Sequence, residues 1–239
     1  MRRLYVPEVE EGAQTLSLPA GEAHHARTVL RAREGDRFEI LNGQGRRLIG
    51  AVLTVSRQGV VLEIESESAE ARPAFDLVLC QAVVKGKAMD WIVEKGTELG
   101  VSQILPVQCE RSVSVGAKHE RWCDLAISAM KQCGRAWLPE ISTVVSLTEG
   151  LQIAGKCDQL IVASLFGERV GLWECLDGAK SVALWIGPEG DFTEREIEAL
   201  REAGVNPVSL GPNVLRAETA ALAGLSCIQH ERIRQGQNG

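Results

Sequence analysis

The pattern of apolar and polar positions changes near residue 73. Before it, short apolar-rich segments at 36–41, 46–56 and 59–65 read as strands. Asn42-Gly43-Gln44-Gly45 and Arg57-Gln58-Gly59 mark the turns between these candidate strands. One helical pattern, about 22–33, comes first. After residue 73, the segments 75–81, 102–107, 158–163, 181–186 and 205–210 read as strands, and the unbroken run Val182 to Ile186 fits one buried on both faces. Helical patterns at 87–99, 119–134, 168–176, 193–203 and 216–233 fall between and after them. Strands alternating with helices predict an α/β fold, a parallel sheet with helices on both faces. The β-rich segment predicts a small separate domain. Arg72-Pro73-Ala74 is the expected linker, giving domains 1–72 and 73–239. The tail RQGQNG is expected to fray.

Two loops in the second domain carry candidate chemistry. In the first, the run Val182 to Ile186 leads into Gly187-Pro188-Glu189-Gly190, and Thr193 with Glu196 fits a capping box that starts a helix. The glycines permit close approach to the main chain, and the proline stiffens the turn. A tight strand-to-helix turn explains this loop as well as a ligand does. In the second, Val208, Ser209 and Leu210 end a strand, Gly211-Pro212-Asn213 turn, and Arg216, Glu218 and Thr219 open a helix. Glu218 complements a helix dipole there, but a cation at a helix N-terminus is disfavoured. Arg216 therefore points to an anion, a substrate or the neighbouring loop. Loops of this kind at the strand ends of an α/β sheet form ligand sites.

Composition narrows the class. The 239 residues are 45% hydrophobic and 4% aromatic. No apolar run reaches the roughly 20 residues of a membrane span, and MRRLYVPEVEEG lacks the apolar core of a signal peptide. Seven scattered cysteines, odd in number and without CxxC spacing, fit reduced thiols in the cytoplasm and no metal site. A net charge of −6 argues against coating nucleic acid by bulk charge. The charge is uneven, however. His24, Arg27 and Arg31 share a helical face at i, i+3 and i+7, and Arg33, Arg37, Arg46 and Arg47 follow, while Glu63, Glu65, Glu67 and Glu70 gather later. The pattern fits a solvated face or a local basic face for one selected RNA site.

Taken together, IGPEG, LGPNVLRAETA, EAHHARTVLRAREGD at 22–36, VKGKAMDWIVEKGTELGVSQILPVQCERSV at 84–113 and ERWCDLAISAMKQCGRAWLPEI at 120–141 resemble the ribosomal RNA small subunit methyltransferase E family, within the SPOUT-class RNA methyltransferases. The resemblance runs along nearly the whole chain in the family's order. It implies a SPOUT-type parallel sheet closed by a trefoil knot, a PUA-like N-terminal domain and a homodimer. It also implies methylation of uridine N3 in 16S ribosomal RNA within the 30S subunit, with S-adenosyl-L-methionine as methyl donor.

Carried onto this sequence, the resemblance implies a cofactor site built from three loops. These are Ser164 to Gly167, Ile186 to Gly190, and Leu210 to Ala217. Leu165, Leu210 and Leu215 are expected as apolar walls, and Gly187, Gly190 and Gly211 as close main-chain contacts. Ile186, Glu189, Ala217 and Thr219 complete the cofactor set. Each leucine taken alone reads more readily as ordinary core. Arg216 is expected to stabilise the uracil anion. Glu218 orients Arg216, contacts the nucleoside or acts as base, and the sequence does not separate these. RNA contacts are expected from His24, Arg27, Arg31, Lys85, Lys87, Arg111, Gln132 and Arg135, although Arg135 is also a favourable cation at a helix C-terminus. The chain departs from the family at Asp191, where GPEGG is usual. Asp tolerates left-handed backbone better than most residues, but it adds a charge beside the cofactor site.

Three other functions compete. A ribose 2′-O methyltransferase of the same fold usually opens its catalytic domain with an Asn-x-Gly…Arg element, which residues 75–95 lack. A non-catalytic ribosome-assembly protein would keep the basic face without needing Arg216 or Glu218. A small-molecule nucleotide enzyme is disfavoured by the lack of GxGxxG and of a P-loop.

Overall fold

The computed structural model describes residues 1–113, 118–165 and 169–236. The chain forms two compact units. The first is Met1–Arg72 with Ile127–Leu138, and the second is Pro73–Ala126 with Pro139–Gly239. The segment 127–138 thus joins the unit that precedes it by more than fifty residues of chain.

The first unit contains β1 (Arg2–Tyr5), β2 (Thr15–Ser17), α1 (Ala20–Thr28), β3 (Arg37–Leu41), β4 (Arg46–Val55) and β5 (Val60–Ala69). They form one sheet in the order β1-β3-β4-β5-β2, antiparallel except for β1 beside β3. Alternate residues of the strands, among them Leu4, Phe38, Ile40, Leu48, Val52, Val60 and Leu62, face one buried core with Ala23 and Ala26 of α1.

The helix at 22–33 is shorter than its pattern. It stops at Thr28, and the Ala32 N–H donates to the Ala26 carbonyl at 2.9 Å while Arg31 takes φ 51. A left-handed residue just past the last turn is a common helix terminator. Arg31 is therefore off the helix and does not share a helical face with His24 and Arg27. Nor do the arginines that follow form an unpaired basic face. Arg37 pairs with Glu65 at 2.9 Å, Arg46 with Glu67 at 2.6 Å, and Arg47 with Glu39 at 2.9 Å and Glu70 at 2.7 Å. Arg3 adds a second bond to Glu39 at 2.7 Å. Adjacent strands set Arg3 and Arg47 beside Glu39 and Arg46 beside Glu67, while Arg37 reaches Glu65 across the intervening β4. At Glu39, burial pushes the carboxyl up, but the bonds from Arg3 and Arg47 outweigh it and hold the group below its ordinary range.

The second unit is built on a parallel sheet. Its elements are β6 (Asp76–Ala82), α2 (Ala88–Glu98), β7 (Gln103–Gln108), α3 (His119–Cys133, whose last residues belong to the first unit), β8 (Glu140–Ile141), β9 (Val145–Ser146), α4 (Leu147–Ala154), β10 (Gln159–Ala163), β11 (Val170–Gly171), β12 (Ser181–Ile186), α5 (Glu194–Glu202), β13 (Asn206–Ser209) and α6 (Ala217–Arg234). The sheet order is β11-β13-β10-β12-β6-β7-β8, and β9 also pairs with β7. Leu77, Leu79 and Cys80 of β6 and Val182 to Trp185 of β12 are fully buried, which accounts for their unbroken apolar runs.

Helix α2 buries Met89, Ile92, Val93, Gly96 and Thr97, one stripe at helical spacing. Helix α6 lies close against β12. A Cβ at Gly224 would meet Leu184 Cδ2 at 2.7 Å, so a side chain there would hold the helix off the sheet. Burying Leu184 in that contact is worth roughly 1.5–3 kcal/mol. Two segments depart from their patterns. The helix expected at 168–176 is, among the described residues, a two-residue strand and a single 3-10 turn (Leu172–Cys175). Parallel pairing of Val170 with Val208 draws the chain into the sheet edge instead. Helix α4, absent from the expected set, starts with a full capping box between Ser146 and Glu149.

Candidate functional site

The two Gly/Pro loops meet because of the order of three strands. β13 lies beside β10, and β10 lies beside β12, all parallel. From β10 the chain passes by way of β11 to β12 on the central flank of β10, then β13 pairs on its outer flank. Strand order reverses there, and the loops beyond the C-terminal ends diverge around a crevice. The cleft at this edge has about 590 Å³ of space, most of it in its open mouth.

Eight of the ten residues expected in the cofactor set line the cleft. Leu165, Ile186, Leu210 and Leu215 supply apolar surface, and Gly187, Gly211, Glu189 and Ala217 complete the ring. Ser164 also lines it, while Phe166 and Gly167 lie outside the described residues. Gly190 and Thr219 do not line it. Gly190 instead offers its carbonyl to Arg111 Nη1 at 2.6 Å, and a Cβ there would touch Arg111 Cδ at 3.3 Å. Its φ is not positive; the left-handed residue of this turn is Asp191, at φ 58. Among the described residues, the charged ones lining the cleft are Glu189, Asp191 and Arg169, and no motif signalled Arg169.

Cross-chain bonds hold the GPEGD turn. Glu189 Oε1 accepts from the Lys85 N–H at 3.3 Å, and Asp191 Oδ2 accepts from the Leu165 N–H at 3.3 Å. Asp191 Oδ1 accepts from the Phe192 N–H at 2.8 Å. Behind the turn, Thr193 and Glu196 form the expected capping box, and Glu196 Oε1 also accepts from the Glu110 N–H at 2.8 Å. Cys109, next to these contacts, is no nucleophile: burial, with the Glu196 charge adding to it, pushes its thiol up to about 12.

Arg216 is the N-cap residue of α6, with extended backbone at φ −67 and ψ 154, and its side chain makes no capping bond. Its neighbours Leu215 and Ala217 line the cleft; Arg216 is exposed beside it. Glu218 sits half-buried in the first turn of α6. Lys85 and Lys87 are exposed on the loop after β6. In the first unit, His24 is exposed on α1, and Arg27 is spent locally, donating to the carbonyls of Ser56 at 2.7 Å and Arg57 at 3.2 Å. Gln132 is exposed near the end of α3. Arg135 is half-buried, and desolvation lowers its pKa from the ordinary value.

Residues 71–229 match the family described as an RNA methyltransferase domain, and residues 18–65 match an RNA methyltransferase PUA domain. The chain is 32% identical to the ribosomal RNA small subunit methyltransferase E of Bacillus subtilis, over 94% of this chain and 93% of the relative. The chain belongs to the ribosomal RNA small subunit methyltransferase E family. The Aquifex aeolicus member is 33% identical, over 92% and 96% of the two chains. The Neisseria gonorrhoeae member, solved bound to S-adenosyl methionine, superposes with a TM-score of 0.87 at 30% identity, over 96% of this chain and 97% of that one. The two domain matches explain why a β-rich unit and a parallel α/β unit share one chain. Among the described residues, no three His, Cys, Asp or Glu groups are placed to hold a metal ion, and no helix is long and apolar enough to cross a membrane.

Proposed function

We propose that this chain binds S-adenosyl-L-methionine in the cleft and methylates N3 of a uridine in 16S ribosomal RNA. It acts on assembled 30S subunits in the cytoplasm, as a homodimer whose cofactor segment is knotted. The observation that carries the reading is the convergence of Leu165, Ile186, Gly187, Leu210, Gly211 and Leu215 on one cleft at the ends of three adjacent parallel strands. The fit is chemical as well as spatial. Leucine and isoleucine side chains suit the two faces of an adenine, the bare glycine backbone admits its polar edge, and the carboxylates of Glu189 and Asp191 suit a cation.

When bound, the cofactor supplies an electrophilic methyl on a sulfonium. The remaining work falls to the protein. Uridine N3 is a poor nucleophile while it holds its proton, and its loss leaves charge on the uracil oxygens. Arg216, at the cleft edge with no ion pair among the described residues, is placed to meet that charge. Glu218, one residue into α6, orients Arg216, contacts the nucleoside or accepts the proton. Lys85 and Lys87, on a loop held to the cleft by Glu189, offer cations to RNA phosphates beside the reacting base. Positioning of donor and acceptor in line supplies several kcal/mol of barrier lowering.

The test is transfer of tritiated methyl from S-adenosylmethionine to 30S subunits, naked ribosomal RNA and tRNA, with mass spectrometry of the digested nucleosides. The expected product is 3-methyluridine, formed on 30S subunits in preference to the other substrates. A 2′-O-methylated nucleoside would replace this reading with the ribose methyltransferase. Binding to 30S without transfer would leave a non-catalytic assembly protein.

A further inference from the structure

We infer that Asp191 is a selectivity residue of the cleft, one that favours the cationic methyl donor over the demethylated product. The inference rests on the cofactor reading above. The two molecules differ in one methyl group and one charge: the donor carries a sulfonium, the product a neutral thioether. A pocket lined only by main chain and apolar groups has little purchase on that difference. A fixed carboxylate does.

The structure fixes this one in three ways. Asp191 takes φ 58, a left-handed conformation that Asp and Asn tolerate better than other side chains. Its two oxygens are held separately, Oδ2 by the Leu165 N–H at 3.3 Å and Oδ1 by the Phe192 N–H at 2.8 Å. The carboxylate also lies over Gly187, where a Cβ would come within 2.9 Å of Oδ1. The group is half-buried at the cleft wall between the loops after β10 and β12. A mobile surface acid would be screened and would choose its own distance from a ligand. This one is set in place before the ligand arrives, which is the condition for a charge to discriminate.

The other charged groups of the lining do not replace it. Glu189 is exposed and turned to the Lys85 N–H. Arg169 carries the opposite sign. Of the two carboxylates among the described residues of the lining, Asp191 is the less exposed, so its charge is the less screened. The functional consequence is weaker product inhibition. A neutral thioether loses the attraction that held the sulfonium, so methyl transfer itself lowers affinity for what remains.

The experiment uses the full-length protein and its Asp191→Asn variant, because Asn keeps the left-handed backbone and an acceptor for the Leu165 N–H while removing the charge. Calorimetric titration with S-adenosylmethionine, S-adenosylhomocysteine and sinefungin, whose amine carries a positive charge near the sulfonium position, gives three affinities for each protein. Asp191→Asn is expected to weaken S-adenosylmethionine and sinefungin by roughly fivefold, the scale of one partly screened charge several ångströms away, and to leave S-adenosylhomocysteine within about twofold. The gap is expected to narrow at 1 M salt. Asp191→Gly, which frees the backbone and removes the side chain, is expected to show the same loss of selectivity. Equal weakening of all three ligands by Asp191→Asn would overturn the inference and leave Asp191 a structural tie. If the wild-type protein bound none of the three, the cofactor reading would fall, and this inference with it.

Discussion

Arg111 Nη1 donates to the Gly190 carbonyl at 2.6 Å, joining the segment after β7 to the turn after β12. The bond gives one nitrogen of this exposed guanidinium a structural task in the turn. Arg111→Ala is expected to loosen the GPEGD turn and weaken S-adenosylmethionine by about fivefold, equivalent to about 1 kcal/mol for one exposed charge-assisted bond. RNA affinity of the cofactor-saturated protein should keep its salt dependence. Calorimetry and RNA binding at several salt concentrations separate the two. A normal cofactor affinity with a shallower salt slope would return Arg111 to the RNA interface.

The two glycines of that turn differ in what surrounds them. A Cβ at Gly187 would stand 2.9 Å from Asp191 Oδ1 and 3.2 Å from the Phe192 ring, inside the cleft wall. A Cβ at Gly190 would meet only the Arg111 side chain, at 3.3 Å. Gly187→Ala is therefore expected to lower cofactor affinity at least tenfold in a folded protein, as overpacking of roughly 1–3 kcal/mol displaces the wall. Gly190→Ala is expected to cost threefold or less. The reverse order in titration would show that Gly190 is the residue the ligand approaches.

Arg216 separates a catalyst from a binding module. Its loss removes a group that meets charge formed mainly in the transition state, so rate should suffer more than binding. Arg216→Ala is expected to slow single-turnover methylation of 30S subunits by about 100-fold, on the order of 3 kcal/mol. Arg216→Lys should recover only part, since an ammonium lacks the planar two-point contact. Cofactor affinity should stay within about tenfold. Near wild-type turnover in the Ala variant would move the role to Glu218 or elsewhere.

The lysines after β6 and the arginine of α1 make opposite forecasts. Lys85 and Lys87 are exposed, and replacing both by Ala should lower the log–log salt slope of RNA binding by up to about 2. Arg27 holds the carbonyls of Ser56 and Arg57. Arg27→Ala is expected to cost about 1 kcal/mol of stability, read by denaturant unfolding, with the slope unchanged. A slope reduced by Arg27→Ala alone would place α1 on the RNA.

Acid should loosen the end of α6. The Arg234 and Gln235 side chains hold the Glu231 carboxyl down at about 2, against an ordinary 4.5. A depressed carboxyl stabilises the fold above its unfolded pKa, and that contribution is lost as pH falls through the folded one. The loss is thus expected between about pH 4.5 and 2, and Glu231→Gln should flatten the stability profile in that window. An unaltered profile would show that the ion pair adds nothing measurable.

Sequence reading failed where a helical pattern continued past a stop set by local backbone or by the sheet. The apolar spacing of 22–33 is helical throughout, but the Ala32 bond to Ala26 and the left-handed Arg31 end the helix early. The spacing of 168–176 is helical too, but Val170 is taken by the edge of the sheet beside Val208. Helix α4 was missed although its signal is local: Ser146 and Glu149 stand three apart, the spacing of a capping box, ahead of an apolar pattern.

The sequence by itself determined the two loops, the parallel character of the second sheet and the β-rich first unit, because each rests on periods and turn residues within a dozen positions of one another. Tertiary structure decided the rest. It returned β13 to the far flank of β10 and so brought Leu165, Gly187 and Leu215 around one cleft. It neutralised Arg37, Arg46 and Arg47 against acids some twenty or more residues away, an outcome set by strand register rather than by composition. It also gave the GPEGD turn its bonds to Lys85, Arg111 and Leu165, at separations of 104, 79 and 26 residues. Contacts at such distances leave no local pattern, since the partners meet only after the sheet has ordered its strands.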